Sequence, residues 1–259
     1  MDFGLSEDQV LLDQTVRSFL ADRVPIERVR ELRELPCPND RKTWQALAEL
    51  GVTGILVPEA QGGSGLTLLD AALVSQALGH AATPMPFLSS AILAPVVLRG
   101  LHDARVDPWL AGIASGELLF GLGLTELFSV REGAGVRADG DRVEGRALMV
   151  LDACGADLLL VAVGDGGLAV VPRDSPGVSV TRLTTTDATR CTSEVLFEGA
   201  RVEAMFEGVA PVLDRALEAG RIALAADVLG ACESMIEQSV RYAGERKQFG
   251  RVIGSFQAV

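Results

Sequence analysis

The chain has 259 residues, 48% of them apolar and 22% charged, and a formal charge of −12. That composition can bury a sizeable core and excludes a disordered chain. Its acidic balance excludes the basic footprint that nucleic acid or an anionic membrane surface requires. Cys37, Cys154, Cys191 and Cys232 stand far apart with no CxxC pair, and His80 and His102 are isolated. This spacing predicts reduced thiols and no metal centre. No apolar run reaches the roughly 20 residues of a membrane span. The acidic start MDFGLSEDQV lacks a signal-peptide core, so a cytoplasmic protein is expected.

Residues 1 to about 115 read as helical. SEDQ (Ser6 to Gln9) is a capping-box pattern, followed by Val10, Leu12, Val16, Phe19 and Leu20 at helical spacing. Asp40 opens a second helix through Trp44, Leu47 and Leu50, and Gly51 is its stop. VPEAQGGSG reads as a loop, and LTLLDAALVSQALG restores the helical period up to His80, a C-terminal cap. GGSG lacks the context of a phosphate-binding P-loop.

From about residue 116 the texture becomes strand-like. ELLFGLGLT is an apolar run, VRADGDRVEG folds around an Asp139-Gly140 turn, and DLLLVAV and LAVV flank a GDGG turn. SEVLFEGARV adds another strand, so a small antiparallel β unit is expected, closing as a barrel or sandwich. Beyond residue 206, Ile222, Ala225, Leu229, Cys232, Ile236, Val240 and Ala243 recur every three or four residues. They predict one helix from Pro211 to Arg246, roughly 50 Å long at about 1.5 Å per residue. Its apolar stripe needs partners that no later helix in this sequence supplies, so neighbouring molecules or further sequence are expected to cover it. Tyr242 is expected to pack there too.

The order helical, β, helical resembles the acyl-CoA dehydrogenase family over nearly the whole chain. VPEAQGGSGLTLLDAALVSQALG resembles the family's proline-glutamate and double-glycine loop with its following helix. LGLTE (122–126) resembles the start of the flavin-binding strand and loop. ADLLLVAV and the stretch from PGVSV to VLFEGARV resemble its β domain. YAGERKQFGRVIGSFQAV matches the YxxxRxQFGxxIGxFQ motif almost letter for letter. The resemblance implies an α+β fold: an N-terminal helical domain at 1–115, a middle antiparallel β domain at 116–205, and the start of a C-terminal helical bundle at 206–259. It implies FAD as cofactor and an acyl-CoA thioester as substrate. A carboxylate base would take the α-hydrogen as a proton, the flavin would take the β-hydrogen as hydride, and an electron-transfer flavoprotein-like partner would accept the electrons.

The same resemblance assigns the site residues. Arg246 would meet the FAD pyrophosphate, Phe249 would pack along the cofactor, and Gln248 and Gln257 complete the motif, all toward FAD held mainly by a neighbouring subunit. A guanidinium suits that task as a permanently charged, bidentate phosphate partner. Thr125 is kept from the family's LTEPxAGSD loop, but Leu127, Phe128, Ser129, Val130, Arg131 and Glu132 follow, with no glycine. The family's K-x-W/F-I-T/S aligns with Arg146-Ala147-Leu148-Met149-Val150, which has neither the aromatic nor the hydroxyl. The base position that some members carry on the long helix holds Gly220, and Glu218 lies about 200° round that helix. No catalytic residue and no metal ligand are therefore assigned.

Three readings follow. The chain is a subunit that completes a sister chain's FAD site; or it is a self-sufficient homo-oligomeric dehydrogenase whose C-terminal half is not in this sequence; or it is a non-catalytic scaffold or acyl-CoA-binding module.

Overall fold

The structure, a computed structural model, describes residues 4–38, 40–124, 132–164 and 166–256. Three helix starts, at Glu7, Arg41 and Leu68, follow the capping chemistry. In α1 (Glu7–Arg23) the Gln9 N–H donates to the Ser6 hydroxyl, and the Ser6 N–H donates to the Gln9 side chain. After α2 (Ile26–Arg33), the Asp40 carboxylate accepts from the Lys42 and Thr43 N–H groups to open α3 (Arg41–Glu49). Gly51, at φ +76°, ends that helix. Thr67 and Asp70 form a second capping box on α4 (Leu68–His80). A π-helical stretch (Phe87–Leu93) runs into α5 (Ala94–Gly100), and α6 (Asp107–Ala114) closes the helical part.

The sheet comprises β1 (Phe120–Gly123), β2 (Gly135–Asp139), β3 (Arg142–Leu151), β4 (Leu158–Val163), β5 (Gly167–Pro172), β6 (Val178–Arg182), β7 (Thr192–Arg201) and β8 (Ala204–Phe206). Its order is β6-β7-β3-β1-β4-β5-β8, with β2 beside β3. It is mixed and not wholly antiparallel, because β1 runs parallel to β4. All residues of these two strands are buried, as a strand covered on both faces requires. Leu158, Leu160 and Ala162 join a core shared with the helices, while Leu159, Val161 and Val163 join a second core within the sheet. The apolar run DLLLVAV thus divides its side chains between two cores. A third core centres on Val16, Leu20, Trp44, Leu47 and Val74 of the helices.

The last helix, α7 (Ala210–Glu245), is 36 residues long. After Val212 and Leu213 in its first turn, its packed face is made of small residues, Ala216, Ala219, Gly220, Ala223 and Gly230. The predicted apolar stripe is on the open side: Leu229, Ile236 and Val240 are 53–67% exposed. Tyr242 is exposed as well, so its expected packing is not supplied by the described residues. No described helix is long and apolar enough to cross a membrane.

Candidate functional site

The QFG segment forms a two-residue hairpin at the end of α7, between β9 (Lys247–Gln248) and β10 (Arg251–Val252). Its turn residues, Phe249 and Gly250, have φ +51° and +81°. A two-residue hairpin turn with positive φ at both positions favours Asn-Gly, because a bulky side chain there meets its own backbone. The left-handed conformation costs Phe249 roughly 1–2 kcal/mol, yet its ring is 94% exposed. Phe256 stands edge-on at 6.5 Å, and the Arg251 guanidinium lies 3.9 Å over the Phe256 ring. The Ile253 N–H donates to the Arg246 carbonyl and folds the hairpin back on the helix end. Arg246 and Gln248 are exposed, and the Arg246 guanidinium has no hydrogen bond or ion pair among the described residues. A charged fork and a flat aromatic face are thereby presented outward together. Thr125 and Gln257, the other assigned residues, lie outside the described residues.

The sheet's contribution is different. Between Ala147 and Val150, β3 carries one residue more than β7 opposite, a bulge that leaves Met149 at φ +54°. Ala147 and Val150 are fully buried in the sheet core, so the position that would need a flavin-bonding hydroxyl is a core valine. The base position on α7 carries no carboxylate, since it holds Gly220. A Cβ on Gly220 would lie 2.9 Å from Leu93 Cδ2, and Glu218 is exposed to solvent. The hairpin fits a phosphate-bearing, flat cofactor approaching from outside; β3 and Gly220 do not fit one held from inside.

Beside Gly220, a cleft of about 240 Å³ lies between α4, α7 and the segment before β7, walled by Leu78, Gly79, Leu88 and Leu224. Its two carboxylates, Asp187 and Asp227, both face Arg190, at 3.6 and 2.7 Å. Neither is free to act as a base. The floor is a close helix crossing: a Cβ on Gly79 would lie 2.0 Å from the Asp227 carbonyl oxygen. Gln76 Nε2 donates to Glu233 at 2.7 Å, Arg17 reaches Glu233 at 3.2 Å, and His80 meets Glu237 at 3.0 Å, pinning α7 along this face. His80 is thus a helix-end residue, as predicted, with a partner across the crossing.

Sequence reasoning missed one polar group outright. Asp152, at the end of β3, accepts from the buried Ser89 hydroxyl at 2.6 Å. Burial pushes its carboxyl up to about 7 against that hydrogen bond. Nothing in the spacing of Ser89 and Asp152 signals the pair.

The acyl-CoA dehydrogenase N-terminal domain model matches residues 6–117, and the acyl-CoA dehydrogenase C-terminal domain model matches residues 207–259. Acyl-CoA dehydrogenase FadE27 of Mycobacterium tuberculosis is 31% identical over 269 residues, covering 100% of this chain and 71% of that protein. The chain belongs to the acyl-CoA dehydrogenase family. Benzylmalonyl-CoA dehydrogenase of Aromatoleum aromaticum is 31% identical, covering 100% of this chain and 74% of its own length. Among solved structures, the Tcur3481-Tcur3483 steroid ACAD aligns with a TM-score of 0.85 at 30% identity, over 98% of this chain and 71% of that one. The ChsE4-ChsE5 complex from Mycobacterium tuberculosis aligns with a TM-score of 0.86 at 27% identity, over 100% of this chain and 72% of that one. Acyl-CoA dehydrogenases are FAD-dependent oxidoreductases, so the cofactor against which this chain's hairpin and sheet are to be judged is FAD.

Proposed function

We propose that this chain is one subunit of a heteromeric, FAD-dependent acyl-CoA dehydrogenase, completing from outside a flavin site that a sister chain holds. One observation carries the reading: the hairpin keeps an exposed Phe249 at φ +51° next to an Arg246 with no partner among the described residues, while Gly220, buried against Leu93, offers no carboxylate. The units of the subunit are taken as the helices at 1–115, the sheet at 116–205 and the last helix with its hairpin at 206–259.

FAD, when bound, supplies the acceptor for the hydride removed from the acyl-CoA. This chain's part is binding and orientation. The Arg246 guanidinium offers a bidentate, charge-assisted contact to pyrophosphate oxygens. Phe249 lays its ring against the cofactor and excludes water, Gln248 adds a hydrogen-bonding amide, and the sequence motif gives Gln257 the same task. The sister chain supplies the carboxylate base and the glycine-bearing flavin loop, and an electron-transfer flavoprotein-like protein accepts the electrons. Two of the similar structures are named for two components, and one of them as a steroid ACAD, which supports a heteromer acting on a bulky acyl group. A cytoplasmic location goes with this reading.

The test is purification of this chain alone and together with sister chains from neighbouring genes, with flavin absorbance measured on each. Flavin is expected only in the co-purified material. There, Arg246→Ala should weaken flavin retention roughly 10- to 150-fold, the equivalent of about 1.5–3 kcal/mol for a charge-assisted contact. A yellow, active homo-oligomer of this chain alone would overturn the proposal. Unchanged flavin content in the Arg246→Ala complex would favour a scaffold.

A further inference from the structure

Three cysteines remote in sequence meet at one point of the fold. Cys37 lies in the loop between α2 and α3, Cys154 in the turn between β3 and β4, and Cys191 immediately before β7. Their sulfur atoms all lie within 4.8 Å of one another, and Cys154 Sγ and Cys191 Sγ are 2.8 Å apart. Cys191 is 5% exposed and the other two are half-buried. None of them lines the cleft or touches the hairpin. The sequence spacing argued against a metal centre; the fold removes that objection, because the ligands come from three separate segments.

The convergence is fixed by backbone contacts. The Asp152 N–H donates to the Cys191 carbonyl at 2.8 Å, tying the end of β3 to the start of β7. Arg182 donates to the Leu35 and Pro36 carbonyls at 2.6 and 3.0 Å and holds the loop that carries Cys37 against the sheet. A small cavity of about 10 Å³ opens beside Cys37, Cys191 and Asp152.

We propose that Cys37, Cys154 and Cys191 bind a thiophilic divalent cation of the Zn²⁺ class, clipping the α2–α3 loop to the sheet. Tetrahedral thiolate coordination at about 2.3 Å places neighbouring sulfurs about 3.8 Å apart, within reach of side-chain rotation from the observed triangle. The cavity is the size of one water, which supplies the fourth ligand as solvent or leaves room for the Asp152 carboxylate. Ligation needs anionic sulfur. A bound cation displaces the thiol protons, so binding releases protons and strengthens as pH rises. A disulfide would use two of these sulfurs and leave the third, on an anchored loop, with no task. A single ion engages all three.

The experiment uses the reduced full chain, stripped with a chelator and titrated with Co²⁺ and, separately, Zn²⁺. Expected are one ion per chain by elemental analysis after desalting, a thiolate-to-Co²⁺ charge-transfer band, and a higher Tm with metal. Cys37→Ser should weaken binding at least tenfold, while Cys232→Ser, on the exposed side of α7, should leave it unchanged. Should the serine variants fold poorly, alkylation of the parent decides: Zn²⁺ should protect Cys37, Cys154 and Cys191 but not Cys232, as read by peptide mass. Absence of both retained ion and charge-transfer band, equal alkylation of Cys37 with and without Zn²⁺, or loss of binding in Cys232→Ser would each overturn the proposal.

Discussion

Replacing Gly230 by alanine sets two effects of opposite sign against each other. In an exposed helix interior, Gly→Ala stabilises by about 1 kcal/mol, because glycine loses more backbone entropy on folding. At Gly230 an added Cβ would lie 1.9 Å from the Gln76 carbonyl oxygen and 2.8 Å from the His80 nitrogen, so α7 must move off α4 by about 1 Å. Gly79 faces the crossing from the other helix and leaves no slack there. Overpacking of this kind costs about 1–3 kcal/mol, and the shift also lengthens the 2.7 Å contacts Gln76–Glu233 and Arg190–Asp227. Packing wins over propensity, and a net loss of about 1–3 kcal/mol is expected. Gly244, in the same helix and with nothing within 4 Å of its added Cβ, is the internal control. Gly244→Ala should stabilise by up to about 1 kcal/mol. Urea unfolding of parent and both variants, followed by circular dichroism, reads the midpoints. If Gly230→Ala unfolds at or above the parent midpoint, the close crossing is not what this glycine is for, and the cleft floor has been misread.

Phe249→Asn should relieve the turn strain by about 1 kcal/mol, raising hydrogen-exchange protection of the hairpin amides while lowering flavin retention in the reconstituted complex. A gain or loss in both readouts together would contradict the division between strain and contact. Gly220→Glu places a carboxylate at the base position but against Leu93; a stability loss of about 2–4 kcal/mol and no dehydrogenase activity from the chain alone are expected. Activity gained by that variant would show the pocket to be open. Asp70 accepts from the Thr67 N–H at 2.8 Å, the Thr67 hydroxyl at 2.6 Å and Gln9 at 3.0 Å. Burial alone would raise its pKa, but these hydrogen bonds, led by Thr67, hold it below the ordinary 3.8. Its contribution is therefore complete above that ordinary value and lost as pH falls through the lower folded one. Asp70→Asn should flatten the acid limb of a Tm-against-pH profile, and an unaltered limb would refute the assignment.

Much of the fold was legible because its signals are local. Ser6, Asp40, Gly51 and the helical period after residue 206 each act within a few residues of themselves, and each did what capping or periodicity predicts. The parallel pairing of β1 with β4 was not legible: it depends on which faces the helices cover, and a fully buried apolar run reads alike in either direction. The stripe on α7 was read correctly as apolar, but the face packed within this chain is the small-residue one, whose signal is close backbone approach and not hydrophobicity. Of the site, the hairpin motif was plain from its letters, while its left-handed Phe249 was not. The cysteine cluster, the Ser89–Asp152 pair and the Arg190–Asp227 pair join distant segments, and spacing carries no trace of them.

The way the violations of local rules are distributed bears on function. Val150 and Gly220 break no local rule: both are buried and neither has a side-chain polar atom to satisfy. Phe249 does break one. It stays in a backbone conformation that asparagine or glycine would adopt at lower cost, with its ring in water. Arg246 beside it has no hydrogen-bond or ion-pair partner among the described residues, although acidic residues are abundant in the chain. Local inconsistency of this kind persists where something outside the chain compensates it. On the proposed reading, what compensates the hairpin is the sister chain's cofactor, while Val150 and Gly220 serve this chain as ordinary core.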